Sequence, residues 1–140
     1  MRGEFAGWGL WHQQALDVLF DEVDARIGEA ALRMSDLLAF QIAIETGKPG
    51  SVMCAYNKVN GDWACENRHL LTDVLKRDWG YPGWVMSDWG AVHSTAKAAN
   101  AGLDQQSGQE LDKALYFAEP LKVAVDKGQV PVAQIGRAHV

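Results

Sequence analysis

At 140 residues the chain can bury one hydrophobic core, and 48% hydrophobic with 22% charged residues excludes a disordered chain. A net charge of −5 with no lysine or arginine cluster excludes a general nucleic-acid binder. No apolar run approaches the roughly 20 residues that span a bilayer, and the opening Met1–Trp8 segment, interrupted by Glu4, lacks the apolar stretch of a secretory signal peptide.

Residues 1–23 carry Trp8, Leu10, Trp11, Leu16, Val18, Leu19 and Phe20 at spacings that fit neither helix nor strand, and the segment stays unassigned. From Ala25 to Glu45 the three- and four-residue steps of Ile27, Ala30, Ala31, Met34, Leu37, Leu38, Gln41, Ile42 and Glu45 predict one helix packed along that face, stopped by Gly47 and Pro49. Ser51–Tyr56 is a continuously apolar run, predicted as a strand buried on both faces. A loop over residues 57–62 follows, with Asn60-Gly61 as its turn. Asn67 is placed as an N-cap, and Leu70, Leu71, Val74, Leu75 and Trp79 mark the buried face of a helix ending at Gly80.

Trp84–Ser87 is the next predicted strand, His93–Asn100 a short alanine-rich helix, Gly102–Asp104 a further strand, and Glu110–Lys127 a helix closed by Gly128. This alternation predicts an α/β fold with parallel βαβ units. About three strands are too few for a closed (β/α)8 barrel, which takes roughly 250 residues. Cys54 and Cys65 form no metal-binding or redox motif; reduced buried side chains are the expected state, with a local disulfide across the loop as the alternative. No cluster has metal-ligand spacing and no glycine-rich phosphate loop is present, so neither metal nor organic cofactor is expected.

The chemistry concentrates in Gly83-Trp84-Val85-Met86-Ser87-Asp88-Trp89-Gly90, where an apolar run ends at a carboxylate beside tryptophan. A carboxylate at the end of a buried strand is costly unless it is hydrogen-bonded, paired or used. In α/β barrels the C-terminal strand ends carry catalytic groups. An adjacent tryptophan offers the flat apolar face on which a sugar ring stacks. Together these features point to a glycosidase carboxylate, against the alternative of Asp88 as the N-cap of the helix that follows.

Over residues 24–134 the chain resembles the barrel domain of glycoside hydrolase family 3, particularly its β-glucosidase-like members. The motifs that carry this are Gly50-Ser51-Val52-Met53-Cys54-Ala55-Tyr56-Asn57-Lys58-Val59-Asn60-Gly61, then Gly83–Ala91, then Ala101-Gly102-Leu103-Asp104. The resemblance implies the C-terminal part of a (β/α)8 TIM-type barrel, incomplete, with about three βα units. It implies Asp88 as catalytic nucleophile, Tyr56 as the hydroxyl pointing at it, and Met53 and Trp89 as walls of the subsite for the sugar being cleaved. It further implies a retaining, exo-acting β-glucosidase-type reaction on a carbohydrate substrate, with β-xylosidase or exo-glucanase as alternatives within the family.

A non-catalytic sugar-binding barrel remnant is the alternative from another class. Asp104 is a further candidate at a strand end, with a structural role as the alternative; His93 is expected on the surface, with an approach to the site from the loop after Asp88 as the alternative; and Trp63, Trp79 and Trp84 are expected in packing. The family's sugar-gripping Lys-His pair, its Arg and Asp from earlier strands, and the second domain that brings the acid/base glutamate have no match here. The partners this implies are the missing barrel strands and second domain of a parent protein, without nucleic acid or membrane. The chain alone is therefore expected to be catalytically silent. Residues 135–140 depart from the family pattern and back-translate to an adapter-like nucleotide run, so they are expected to be a non-native tail. Family members are often periplasmic or secreted, and the sequence leaves the location of this chain open.

Overall fold

The structure, a computed structural model, describes residues 23–108 and 114–136. The expectations for residues 1–22, for 137–140 and for the start of the Glu110–Lys127 helix lie outside the described residues.

The central feature is a parallel pair, β2 (Ser51–Cys54) and β5 (Trp84–Ser87), in register from Ser51 opposite Trp84 to Cys54 opposite Ser87. Val85 and Ser87 are fully buried and alternate with the half-buried Trp84 and Met86, as the two-residue period of a strand requires. The predicted strand at Gly102–Asp104 is reduced to a parallel bridge between Met86 and Gln105, with Gln105 N donating to Val85 O and Ser87 N to Gln105 O. It nevertheless occupies the position of a third strand beside β5.

The predicted helix from Ala25 to Glu45 is divided. Asp24–Ala25 is a strand, β1, and helices α1 (Glu29–Met34) and α2 (Asp36–Gly47) are separated at Ser35. The Ser35 hydroxyl lies 2.7 Å from both Ala31 O and Asp36 Oδ2, offering local partners that compete with helix continuation. The expected face is also rotated. Leu32 and Ile44 are buried, whereas Met34, Leu38 and Ile42 are exposed. Periodicity identified the helix but not which of two neighbouring stripes meets the sheet.

The predicted loop after β2 contains a two-residue hairpin, β3 (Lys58–Val59) and β4 (Asp62–Trp63), and β1 pairs parallel to β3. Asn60 and Gly61 both have positive φ, 53° and 100°, which a two-residue hairpin turn of the primed type demands. The turn is anchored where Gly61 N donates to Asp24 Oδ1 and where Asn60 exchanges side-chain hydrogen bonds with the Ile27 backbone.

Helix α3 (His69–Asp78) is wound as a π-helix, Trp79 N donating to Val74 O, and it buries Leu71, Val74 and Leu75. Asn67 caps it as expected, its Oδ1 accepting from Leu70 N at 3.1 Å. Arg33 ties α1 to α3 by bonding Glu29 and Asp78, and this guanidinium holds both carboxyls below the usual carboxylate range. His69 adds a 2.7 Å contact to Glu29 on the same exposed surface.

Helix α4 (Ala96–Ala101) buries Ala98, Ala99 and Ala101. Helix α5 (Glu119–Asp126) begins later than predicted because Pro120 suits only a first turn, and Gly128 at φ +69° follows its end. The core runs through Val74, Val85, Val92, Leu103 and Val130.

Beneath β5, Asp104 is a structural residue rather than a group at the strand mouth. Its nearly buried carboxylate meets Lys76 Nζ and accepts from Val85 N at 2.9 Å, while Lys76 also donates to Gly102 O. Cys54 and Cys65 are joined in a disulfide across 5.2 Å of Cα separation, contrary to the reduced state expected from sequence. The Asn60-Gly61 turn folds the chain back and brings them together.

Candidate active site

Because β2 and β5 are parallel, both leave the sheet at the same end, and the residues following each strand meet there. Asp88 comes one step after the last paired residue of β5, with its amide 3.4 Å from Cys54 O. Pleat alternation places Asp88 with Trp84 and Met86, on the face opposite the buried Val85 and Ser87. Met53 pairs with Met86 two rungs below, and it is 49% exposed.

Asp88 opens a tight turn. Ala91 N donates to Asp88 O at 3.2 Å and Gly90 has φ +85°, the signature of a type II turn with glycine at its third position. The carboxylate closes on the same turn, Oδ1 accepting from Trp89 N at 2.7 Å. The N-cap alternative does not hold. Helix α4 starts at Ala96 with Thr95 at its cap position, well beyond Asp88.

Trp89 is 55% exposed yet fixed on one side. A Cβ added to Gly108 would lie 2.4 Å from Trp89 Cγ, so the indole rests directly against the glycine backbone. The segment holding Gly108 is itself held to β5. Ser107 N donates to the fully buried Ser87 Oγ at 2.9 Å. Gly108→Ala combines this clash with a left-handed φ of +66°, and a non-glycine residue in such a conformation costs on the order of 1 kcal/mol or more. The expected result is a changed Trp89 environment with α3 and α4 retained. Fluorescence emission and far-UV circular dichroism check it, and unchanged emission counts against the contact.

Tyr56 follows β2 by two residues, is half-buried, and packs against the core. Met53 also borders an apolar cavity of about 110 Å³ between the sheet and helices α2 and α3, with Leu37, Phe40 and Val52. The structure thus brings Asp88 and Trp89 together in one turn, with Met53 two rungs back along the sheet and Tyr56 beyond the end of β2.

Several contributors were not recognised from sequence. Gly108 and Ser107 were not singled out, although a glycine shortly after a strand end is a signal of close backbone approach. A second group ties the hairpin to the segment after Asp88. Lys58 Nζ stands 4.2 Å from the Trp63 ring, and Trp63 stacks on His93 at 4.0 Å. The buried Glu66 accepts from His93 N at 3.2 Å, and Lys97 bridges toward Asp62 and Glu66. His93 is therefore half-buried in this stack rather than on the open surface. Among the described residues, no group of three His, Cys, Asp or Glu side chains could hold a metal. No described helix is long and apolar enough to cross a membrane.

Residues 5–139 match the family described as Glycosyl hydrolase family 3 N terminal domain. The chain belongs to glycosyl hydrolase family 3. Among curated relatives of this family 3 chain, an exo-α-(1→6)-L-arabinopyranosidase of Bifidobacterium breve is 40% identical over 82% of the chain and 14% of its own length. Thermostable β-glucosidase B of Acetivibrio thermocellus is 48% identical over 59% of the chain and 11% of its length. A crystal structure of a β-glucosidase from Streptomyces venezuelae in complex with D-glucose superposes with a TM-score of 0.76 at 41% identity, covering 84% of this chain and 16% of that one. The family 3 chain thus spans about a seventh of the arabinopyranosidase's length. Its α/β architecture is shared with the enzyme of known structure.

Proposed function

We propose that this chain is the nucleophile-bearing part of a retaining, exo-acting β-glucosidase-type hydrolase, comprising about the last three βα units of a (β/α)8 barrel over residues 24–134. The observation that carries the reading is Asp88 at the C-terminal end of β5, bonded to a backbone amide and followed by an exposed tryptophan. Barrel enzymes place catalytic groups at that end of their strands.

In this reading the Asp88 carboxylate attacks the anomeric carbon while a second carboxylic acid protonates the departing oxygen. The glycosyl ester formed on Asp88 is then hydrolysed by water that the second group deprotonates. Trp89 supplies a face for the sugar ring, Met53 an apolar wall, and the Tyr56 hydroxyl a donor near the nucleophile. The terminal sugar is a β-D-glucosyl residue. The arabinopyranosidase relative favours a second reading, a different terminal pyranose at the same site.

Retention requires two carboxyl groups about 5–5.5 Å apart. The acid/base partner is assigned to a part of the parent enzyme outside this chain. The purified 140-residue chain is therefore expected to be silent on an aryl β-glucoside. Release of the aryl group is the measurement. Turnover that disappears in the Asp88→Asn variant would mean the chain supplies its own acid and would overturn the division of labour.

A further inference from the structure

The hairpin beside the site is too small to set its own geometry. Strands β3 and β4 have two residues each, and a hairpin of that size is marginal without outside support. Its outer end has such support through Lys58 N to Val23 O and Asn67 Nδ2 to Val59 O. Its inner end carries the backbone bond from Ala64 N to Asn57 O at 3.0 Å, and just beyond it, on either side of Tyr56, a covalent bond joins the two arms. Cys54 is the last residue of β2, its carbonyl faces the Asp88 amide, and its sulfur is joined to the fully buried Cys65. The Cys65 sulfur lies 3.7 Å from Ala55 O, directly against the step between β2 and Tyr56. The bond therefore closes a loop whose ends are the strand terminus beside the nucleophile and the helical turn that carries Glu66.

We propose that the Cys54–Cys65 disulfide is a redox-sensitive positioning pair: it fixes Tyr56 and the end of β2 against the Asp88 turn, and its reduction loosens both while leaving the helices in place. The role as a site element rests on the function proposed above; the local mechanical effect does not. A dithiol reductant supplies two electrons to the S–S bond, each cysteine sulfur ends with one proton, and the dithiol becomes its own disulfide. Disulfides persist in oxidising compartments and are reduced by cytosolic thiols. The pair thereby couples the geometry at Asp88 to the redox state of the surroundings. Both sulfurs are buried, so reduction proceeds through local opening of the hairpin.

The test is hydrogen exchange followed by mass spectrometry on the full chain, oxidised, treated with dithiothreitol, and as the Cys54→Ser/Cys65→Ser double variant. Alkylation should find no free thiol in the oxidised chain and two after reduction. Exchange over residues 55–66 and 88–91 should accelerate about fivefold or more, while residues 69–79 and 96–101 change less than about twofold. The double variant should show the same pattern without reductant, which decides the matter if the buried bond resists dithiothreitol. Uniform acceleration across all peptides would assign the bond to global stability and overturn the proposal. No acceleration in the double variant, or two reactive thiols in the untreated chain, would overturn it equally. None of these readouts uses turnover, so failure of the enzymatic reading leaves this test intact.

Discussion

Asp88→Asn in the parent enzyme is expected to lower kcat/KM by roughly 10⁴–10⁶-fold, the scale on which removal of a covalent nucleophile acts. The substitution isolates chemistry from folding because the asparagine carbonyl can still accept from Trp89 N, as Asp88 Oδ1 does at 2.7 Å. The turn that follows depends on Gly90 and on the Asp88 carbonyl, neither of which changes. Stability should therefore move by no more than about 0.5 kcal/mol. Two measurements separate the possibilities. Steady-state kinetics on an aryl β-glucoside reads the loss. A 2-fluoro glycoside, which slows hydrolysis of the glycosyl ester, should leave a sugar-sized mass on the peptide containing Asp88. A label on another carboxylate, or an active asparagine variant, would remove Asp88 from the nucleophile's role.

The legible parts of this chain were those in which one local pattern dictates one structure. The short apolar run Trp84–Ser87, bounded by Gly83 and Asp88, reads as a buried strand and forms one. Asn67 was readable as a cap because its side chain has a defined backbone target in Leu70 N. Less readable were features decided by distant partners. The break at Ser35 reflects a hydroxyl choosing between two acceptors, and the inward stripe of α2 depends on where the sheet lies. Gly108 matters only because Trp89 arrives against it from nineteen positions away. The disulfide was open at the sequence level because spacing alone does not report that a hairpin turn returns Cys65 to the end of β2.

The largest stability effect is expected at Lys76, whose ammonium is among the groups that satisfy Asp104 beneath β5. The Asp104 side chain is 4% exposed and Lys76 19%, so the pair is largely withdrawn from water. Forming such a pair carries a desolvation cost, and replacing both charges can be nearly neutral; removing one leaves an uncompensated buried charge. Lys76→Met is thus expected to destabilise by about 3 kcal/mol, toward the lower end for a buried pair because water still reaches the lysine. It also removes the donor to Gly102 O, at the turn where a Cβ on Gly102 would press on Thr72 Oγ1. The double variant Lys76→Met/Asp104→Asn should recover part of the loss. The asparagine oxygen keeps the bond to Val85 N without a charge to bury. Urea unfolding gives the comparison through the midpoint at constant slope. If the single variant shifts stability by less than about 0.5 kcal/mol, or the double variant is the weaker of the two, the carboxylate is not held by Lys76. The position of this pair gives the result its meaning. Val85 is the second residue of β5, so Asp104 and Lys76 fix the near part of the same four-residue strand that Asp88 directly follows.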